Sequence, residues 1–518
     1  MSPRLTCGSP KTPTSTSGEE GVVALTAKQA LKITDDLYGR LKNRRQEINR
    51  FENYADGKHP LRLGSEEWSQ DHAKRFQGWS DNWCGVVASA PGERTALDGF
   101  RIGADDDVQS ADEKELWRQW DLNEMPSQAS QGFLTSRVAR RSSVLVWGDE
   151  DENPVMTWEH PSQMIVDYDP STRQSRYALK AWLDDDRELA TLYTADEVWK
   201  FQRSRVAADV VNGLSKTGLV IVSTATDLAP GGWAQREMTG DNTWPIDNPL
   251  GILPVQEFPN RPKLGGAPVS DIEGTVSMQD AINMLWKYLF AAADYASMPA
   301  RVVMGQSPPK MPILNEDGVQ VGEKPVDIES LQKGRMLWLT GQTTKVDQWD
   351  AAKLDVFTGV INVAVKHLAA QTRTPIHYIV GELGNVNGET LTATETPLAM
   401  KVRESHEFYT PAVRGVFRRI ALVQGKRDLA DACRTGQVQW RNPEIRSEAQ
   451  MADAASKDKA TGFPIMWIAK YRFGYTQKQL AELEVMLEKE RTDPVLQAAL
   501  KTVATPPAQP GVPGAQGV

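Results

Sequence analysis

Apolar residues recur along the first ordered-looking stretch at Ala30, Ile33, Leu37, Leu41 and Ile48. Steps of roughly three and four residues predict a helix over Thr26–Tyr54, with Thr26 as its N-cap. A second helical pattern covers Glu66–Ala90 and carries Trp68, Phe76, Trp79 and Trp83, which suit a core. Helical patterns at Asp112–Asn123 and Ser127–Arg141 then give way to short runs rich in β-branched and aromatic residues. These runs are Ser143–Trp147, Gln163–Tyr168, Ala178–Leu183, Leu189–Tyr193 and Val198–Phe201, divided by turns containing Asp, Pro and Gly. From Asp227 to Leu250 the Gly, Pro, Asn and Asp content marks a loop before the central section, and the run Gly251–Asn260 ends in a loop.

The pattern changes again at Ser270, where Ser270 and Glu273 have the S-x-x-E spacing of a capping box, predicting a helix from there to Ser297. Ile282, Met284, Leu285, Trp286, Leu289 and Phe290 leave that helix apolar on most sides. Such a helix must be covered all round. Pro299 ends it, and a strand-and-turn insert follows from Ala300, with turns at Asn315–Gly318 and Lys333–Gly334 and last strands at Arg335–Leu339 and Thr344–Asp347. The next helix, Lys353–Ala370, places Leu354, Phe357, Ile361, Ala364 and Leu368 in one seam suited to packing along another helix. Two helices bracketing a small β insert predict a hairpin with a head. Gly381–Gly388 is too rich in Gly and Asn for regular structure. A long helix is expected from Thr396–Pro397 to Gly425, kinked at Pro411, and helices again over Glu444–Arg491. Beyond Thr505, Pro, Gly and Gln dominate and predict disorder. The sum is an α+β chain, mainly helical.

Composition narrows the function. At 518 residues the chain exceeds one core and is expected to divide into about three or four units. The longest apolar run, Ala281–Ala293, is interrupted by Asn283 and Lys287, so no membrane span is expected. Residues 1–20 lack the apolar stretch of a secretory signal, which places the chain in the cytoplasm where it is made. Cys7, Cys84 and Cys433 are far apart and form neither a CxxC pair nor a disulfide framework; Cys84 reads as a small buried apolar residue. A net charge of −9 opposes a tight grip on nucleic acid, which needs many cations to displace counterions. In a ring the same charge would multiply and make a lumen along which a duplex slides.

Chemistry-bearing motifs are few. No G-x-x-x-x-G-K-[ST] loop occurs, since Gly213–Gly218 lacks the spacing, and His406-Glu407 has no second His at helical distance. No catalytic residue, metal ligand or cofactor site is therefore assigned. The acidic runs Asp105–Asp107 and Asp184–Asp186 read as solvated turns.

Four stretches carry a resemblance: Phe76–Val87, Leu97–Arg101, Gly251–Asn260 and Ser270–Glu273, in that order and spacing. Together they resemble the Gp6-like portal (head-to-tail connector) proteins of long-tailed bacteriophages, the siphophages. The resemblance implies a non-enzymatic subunit of a ring, mainly dodecameric, through which double-stranded DNA is packaged and ejected and on which the tail attaches. It implies the portal fold: a disordered leader over 1–25, a wing over 26–269, stem helices at 270–297 and 353–374, and a β-rich clip at 298–352. A tunnel loop and long wing helix would take 375–443, a helical crown 444–491 and a disordered tail 492–518. Gly384, Asn385, Asn387, Gly388 and Glu389 would face the DNA channel, and Ile282, Leu285, Leu289, Leu354, Phe357 and Ile361 would form stem contacts between subunits. Implied partners are further copies of the chain, the DNA, the terminase large subunit that supplies ATP-driven motion, a head-completion adaptor, and the major capsid and scaffolding proteins. The implied place is the portal vertex of the virion, reached from the host cytoplasm. Two alternatives compete. One is a metal-dependent nucleic-acid-processing enzyme using Asp105, Asp167, Asp169 and Asp184, all expected in turns; the other is a structural shell protein.

Overall fold

Thr26 opens the first helix as its sequence suggests: its hydroxyl accepts from the Gln29 N–H at 3.3 Å while Gln29 Oε1 accepts from the Thr26 N–H at 2.9 Å. The computed structural model describes residues 24–59, 79–103, 110–185, 187–204, 232–237, 245–297, 301–304, 310–316, 318–325, 336–339, 345–348, 353–381, 388–444, 448–475 and 477–492.

In chain order, α1 (Ala27–Ala55) is followed by α2 (Trp83–Gly92), β1 (Leu97–Arg101), α3 (Ala111–Leu122) and α4 (Met125–Ala139). Then come β2 (Arg141–Gly148), β3 (Pro154–Glu159), β4 (Met164–Tyr168), β5 (Ser175–Asp184), β6 (Arg187–Tyr193) and β7 (Glu197–Ser204). Short strands β8 (Ala234–Gln235) and β9 (Ile246–Asp247) precede β10 (Val255–Pro259) and α5 (Val276–Ser297). The insert holds β11 (Arg301–Met304), β12 (Lys310–Leu314), β13 (Gln320–Pro325), β14 (Met336–Leu339) and β15 (Lys345–Gln348). The rest is helical: α6 (Asp355–Thr372), α7 (Ile376–Val380), α8 (Gly388–Val423), α9 (Arg427–Ala432), then β16 (Gln437–Trp440), α10 (Glu448–Ala460), α11 (Ile465–Tyr471) and α12 (Gln477–Thr492).

The described residues form two compact units. The first lies within Met1–Arg40 and Ile165–Leu253. Its sheet runs β4-β5-β6-β7-β8, with β9 on β7, and β5, β6 and β7 pair antiparallel with Ala181 opposite Ala190 and Ala190 opposite Phe201. Ala30, Thr34 and Leu37 of α1 are buried, as are Leu179, Ala190, Leu192 and Phe201 of the sheet. Arg203 stands 4.3 Å over the Tyr38 ring and 4.5 Å over that of Trp233, and it pairs with Glu188 at 2.5 Å.

The second unit lies within Leu41–Met164 and Pro254–Val518. Its small sheet, ordered β10-β2-β3, packs against α4 and the long helix α8. Leu398, Val402, His406, Tyr409, Val413, Val416 and Ile420 of α8 are buried at three- and four-residue steps, which keeps one face of a 36-residue helix on the core. Trp158 of β3 lies across α4 at Gly132, where an added Cβ would come within 1.8 Å of the indole. Only glycine leaves room for that ring. Strands β1 and β16 pair antiparallel, Phe100 opposite Val438, closing a core that includes Trp120, Phe133 and Phe417.

Three expectations need correction. The helix expected over Glu66–Ala90 begins only at Trp83, because Asn82 is extended and its side chain caps the helix from Gly85 N–H at 3.1 Å; residues 60–78 lie outside the described residues. Ser270 does not cap a helix: it is buried, its hydroxyl donates to the Arg137 carbonyl at 3.2 Å, Glu273 pairs instead with Arg140, and α5 starts at Val276. The run Gly251–Asn260, expected to end in a loop, carries β10, which pairs with β2 from Val255 to Pro259. Helix α8 starts at Gly388 rather than Thr396 and continues through both Pro397 and Pro411.

Candidate functional site

Helices α5 and α6 pack along each other and enclose the β-rich insert between them in sequence. Their shared seam is made by Ile282 and Leu289 from one and Ile361, Val365 and Leu368 from the other, all buried. Leu285, Leu354 and Phe357 pack half-buried against it. All six residues expected between subunits therefore have a place inside their own chain. The polar residues that break the apolar pattern of α5 are matched locally. Gln279 Oε1 accepts from Trp83 N–H at 2.9 Å, Asn283 meets His59 Nε2 at 2.6 Å, and Asp280 accepts the Tyr54 hydroxyl at 2.7 Å. Trp286 donates its indole N–H to Asp81 at 2.8 Å.

The opposite faces are apolar and uncovered. Val356, Val360 and Val363 of α6, at i, i+4 and i+7, are 62%, 48% and 54% exposed. Met284 and Tyr288 of α5 are likewise exposed. This second stripe escaped the sequence reading, although its spacing was visible, because the buried seam has the same period.

A buried polar cluster anchors the chain just before α5. The Asp271 carboxylate lies 3.2 Å from Arg137 of α4 and 3.4 Å from Lys401 of α8, and accepts from Asn260 at 3.0 Å. Tyr409 donates to Asn260 or Ser136, each at 3.2 Å, and Arg137 donates to Thr95 at 2.8 Å. The Arg137 and Asp271 side chains are 0% and 1% exposed. Burial pushes the Asp271 carboxyl up, but the Lys401 and Arg137 cations outweigh it and hold the group below the usual carboxylate range. Burial drives the Tyr409 phenol up to about 12.

Of the residues expected to line a channel, Gly384, Asn385 and Asn387 lie outside the described residues, whereas Gly388 and Glu389 open the first turn of α8. The expected loop over Gly381–Thr394 is thus shortened at its C-terminal end. Its flanks are tied together by Glu395 of α8, which accepts from Arg94 and lies 2.6 Å from His377 of α7.

His406 gives this region a pH response. Its ring stacks on Trp440 with centroids 4.4 Å apart, and burial, reinforced by Arg137 and Arg403, lowers its pKa to about 3. The unfolded chain takes up this proton near pH 6.5 and the folded chain only near pH 3. Stability is complete above the higher value and falls as the pH drops between them, at about 1.4 kcal/mol per pH unit. Denaturant titrations at pH 7 and pH 5 are expected to differ by roughly 2 kcal/mol, and His406→Phe should flatten that difference.

The carboxylates considered for metal chemistry do not converge. Asp167 lies on β4, not in a turn, with Arg40 at 2.6 Å and Arg176 at 2.5 Å. Asp169 caps its own turn through Ser171 and Thr172, which brings its pKa to about 2. Asp105 lies outside the described residues. Among the described residues no group of three or more His, Cys, Asp and Glu is placed to hold a metal, and no helix is long and apolar enough to cross a membrane.

A family model described as "Phage portal protein, SPP1 Gp6-like" matches residues 35–491. The chain belongs to this phage portal family. Among its relatives are the portal protein of Mycobacterium phage L5, 25% identical over 458 residues and covering 82% of this chain and 84% of the relative, and that of Mycobacterium phage D29, 26% identical over 445 residues with 82% and 81% covered. Membership carries phage portal function, with head-to-tail connection and genome packaging, and makes the chain a virion component at the capsid. The family is structural, its members self-associate and work with head-assembly partners, and nothing supports the metal-dependent enzyme. The α+β character expected from sequence agrees with this membership.

Proposed function

We propose that copies of this chain close into a ring, dodecameric as the resemblance implies, around a channel for double-stranded DNA at one capsid vertex. The observation that carries the reading is the exposed stripe of Val356, Val360 and Val363 on the face of α6 away from its buried seam. A long helix with one apolar face on its own chain and another turned outward suits a subunit placed between two copies of itself, and head-to-tail contacts of that kind generate closed rings. The contact between subunits is accordingly reassigned from the seam to Met284, Tyr288, Val356, Val360 and Val363.

In this reading α5 and α6 are the stem, 298–352 the clip that receives the terminase large subunit and later the adaptor, and 444–491 the crown. The wing at 26–269 meets capsid and scaffolding proteins, and the loop ending at Gly388 touches DNA. The chain itself performs no catalysis. With −9 per copy, a ring concentrates negative charge, which favours sliding over binding. Light scattering combined with negative-stain images tests the proposal. Closed rings of about a dozen copies with a central hole are expected; a species that stays monomeric with scaffolding and capsid proteins present would overturn it.

A further inference from the structure

A groove of about 580 Å³ runs between β16 and the turn joining α11 to α12. Tyr471, Phe473 and Tyr475 expose large aromatic rings there, at 54%, 41% and 40%, and Trp440 faces them from the strand. Its arginines are paired, Arg441 with Asp98 at 3.1 Å and Arg472 with Asp458; of the other charged residues lining it, Glu444 pairs with Arg403 and Lys470 lies 5.2 Å over the Tyr471 ring. An aromatic groove with its arginines already neutralised does not select a phosphate backbone, which requires uncompensated cations. It suits an uncharged ligand that lays flat apolar rings on aromatic faces and offers backbone carbonyls to Tyr hydroxyls.

The chain carries such a ligand. From Thr502 to Val518 no residue is charged, and Pro507, Pro510 and Pro513 recur at every third position. Three is the period of a polyproline II helix, a conformation that would set these prolines along one edge, and proline supplies no N–H while its carbonyls remain to be bonded. Pro-rich segments dock in aromatic-lined grooves by this complementarity. The reach is sufficient. Helix α12 carries the chain from Leu480, which lines the groove, to Thr492, roughly 18 Å away. Residues 493–504 span up to roughly 40 Å.

We propose that Thr505–Pro513 seats in the groove formed by Trp440, Tyr471, Phe473 and Tyr475 of the same chain, covering its exposed aromatic residues. This inference is independent of the ring proposed above. Hydrogen exchange on the full chain tests it against the triple variant Pro507→Ser/Pro510→Ser/Pro513→Ser. Amides of 437–442 and 471–475 are expected to exchange about tenfold faster in the variant; equal rates would overturn the proposal. A photo-crosslinking residue at Val512 of the full chain identifies the occupant. The expected product is an intrachain link to 471–475, lost in Tyr471→Ser/Tyr475→Ser. A link to another copy, to a different protein or to another surface would overturn the same-chain seat.

Discussion

Asp271→Ala is expected to destabilise the second unit by about 3–5 kcal/mol, the range for removing one partner of a buried ion pair. The carboxylate is 1% exposed and lies between Arg137 and Lys401, so its loss leaves two cations facing each other without an anion and removes one of the two acceptors of the Asn260 amide, the Val269 carbonyl at 2.8 Å remaining. The pair itself need not stabilise the fold relative to apolar residues; what costs is leaving it half complete. Urea unfolding at pH 7 measures the difference. Asp271→Ala combined with Lys401→Met should lose less than the sum of the single changes, because one orphaned cation goes with the anion. A loss below about 1 kcal/mol for Asp271→Ala would show that water relaxes the site and that the cluster does not anchor α5. By contrast, the exposed pair Lys457 and Asp453, with side chains 73% and 63% exposed, should be removable with little effect.

The same cluster shows where sequence reading stopped. Ser270 and Glu273 have the spacing of a local cap, but Ser270 is drawn to the Arg137 carbonyl 133 residues away, and that tertiary bond overrides the local one. Pro397 suggested a helix start because local rules favour it in the first turn. The helix instead begins at Gly388 and accepts the lost hydrogen bond in its interior, where Leu398, Val402 and the residues beyond them bury a continuous face. Strands β10 and β16 escaped notice because each is short and its partner, β2 or β1, is distant in sequence. The strongly periodic elements were legible. Helix α1 with its Thr26 cap, the runs that became β5, β6 and β7, and the helix over Asp355–Thr372 all declare themselves through spacing alone.

What spacing cannot say is which neighbour an apolar face meets. In α6 the residues Leu354, Phe357, Ile361, Ala364 and Leu368 and the residues Val356, Val360 and Val363 form two stripes of similar period. Packing separates them: Ile361 is 4% exposed within the chain and Val360 is 48% exposed. The portal family explains why a second stripe would be present, and the separation yields a prediction that composition could not.

Val360→Asp combined with Val363→Asp is expected to abolish ring assembly while leaving the subunit folded. Both positions face outward, so the carboxylates remain hydrated in the free chain and its unfolding midpoint should stay near that of the parent. In the ring each interface would enclose two unpaired charges, at a cost of several kcal/mol roughly per interface. Closure makes every copy contribute, so the penalty is repeated around the ring and assembly fails as a whole. Ile361→Asp provides the contrast, since at 4% exposure the charge enters the chain's own core and the subunit should unfold whether or not rings form. Leu285→Asp and Phe357→Asp should resemble Ile361→Asp more than the Val360 variant, because both side chains pack in that core. Mass by light scattering, with a urea titration of the same samples, separates the two effects. Intact rings from the Val360→Asp/Val363→Asp chain would place the subunit contact elsewhere, and an unfolded chain would mean that the outward stripe already has a partner within the subunit.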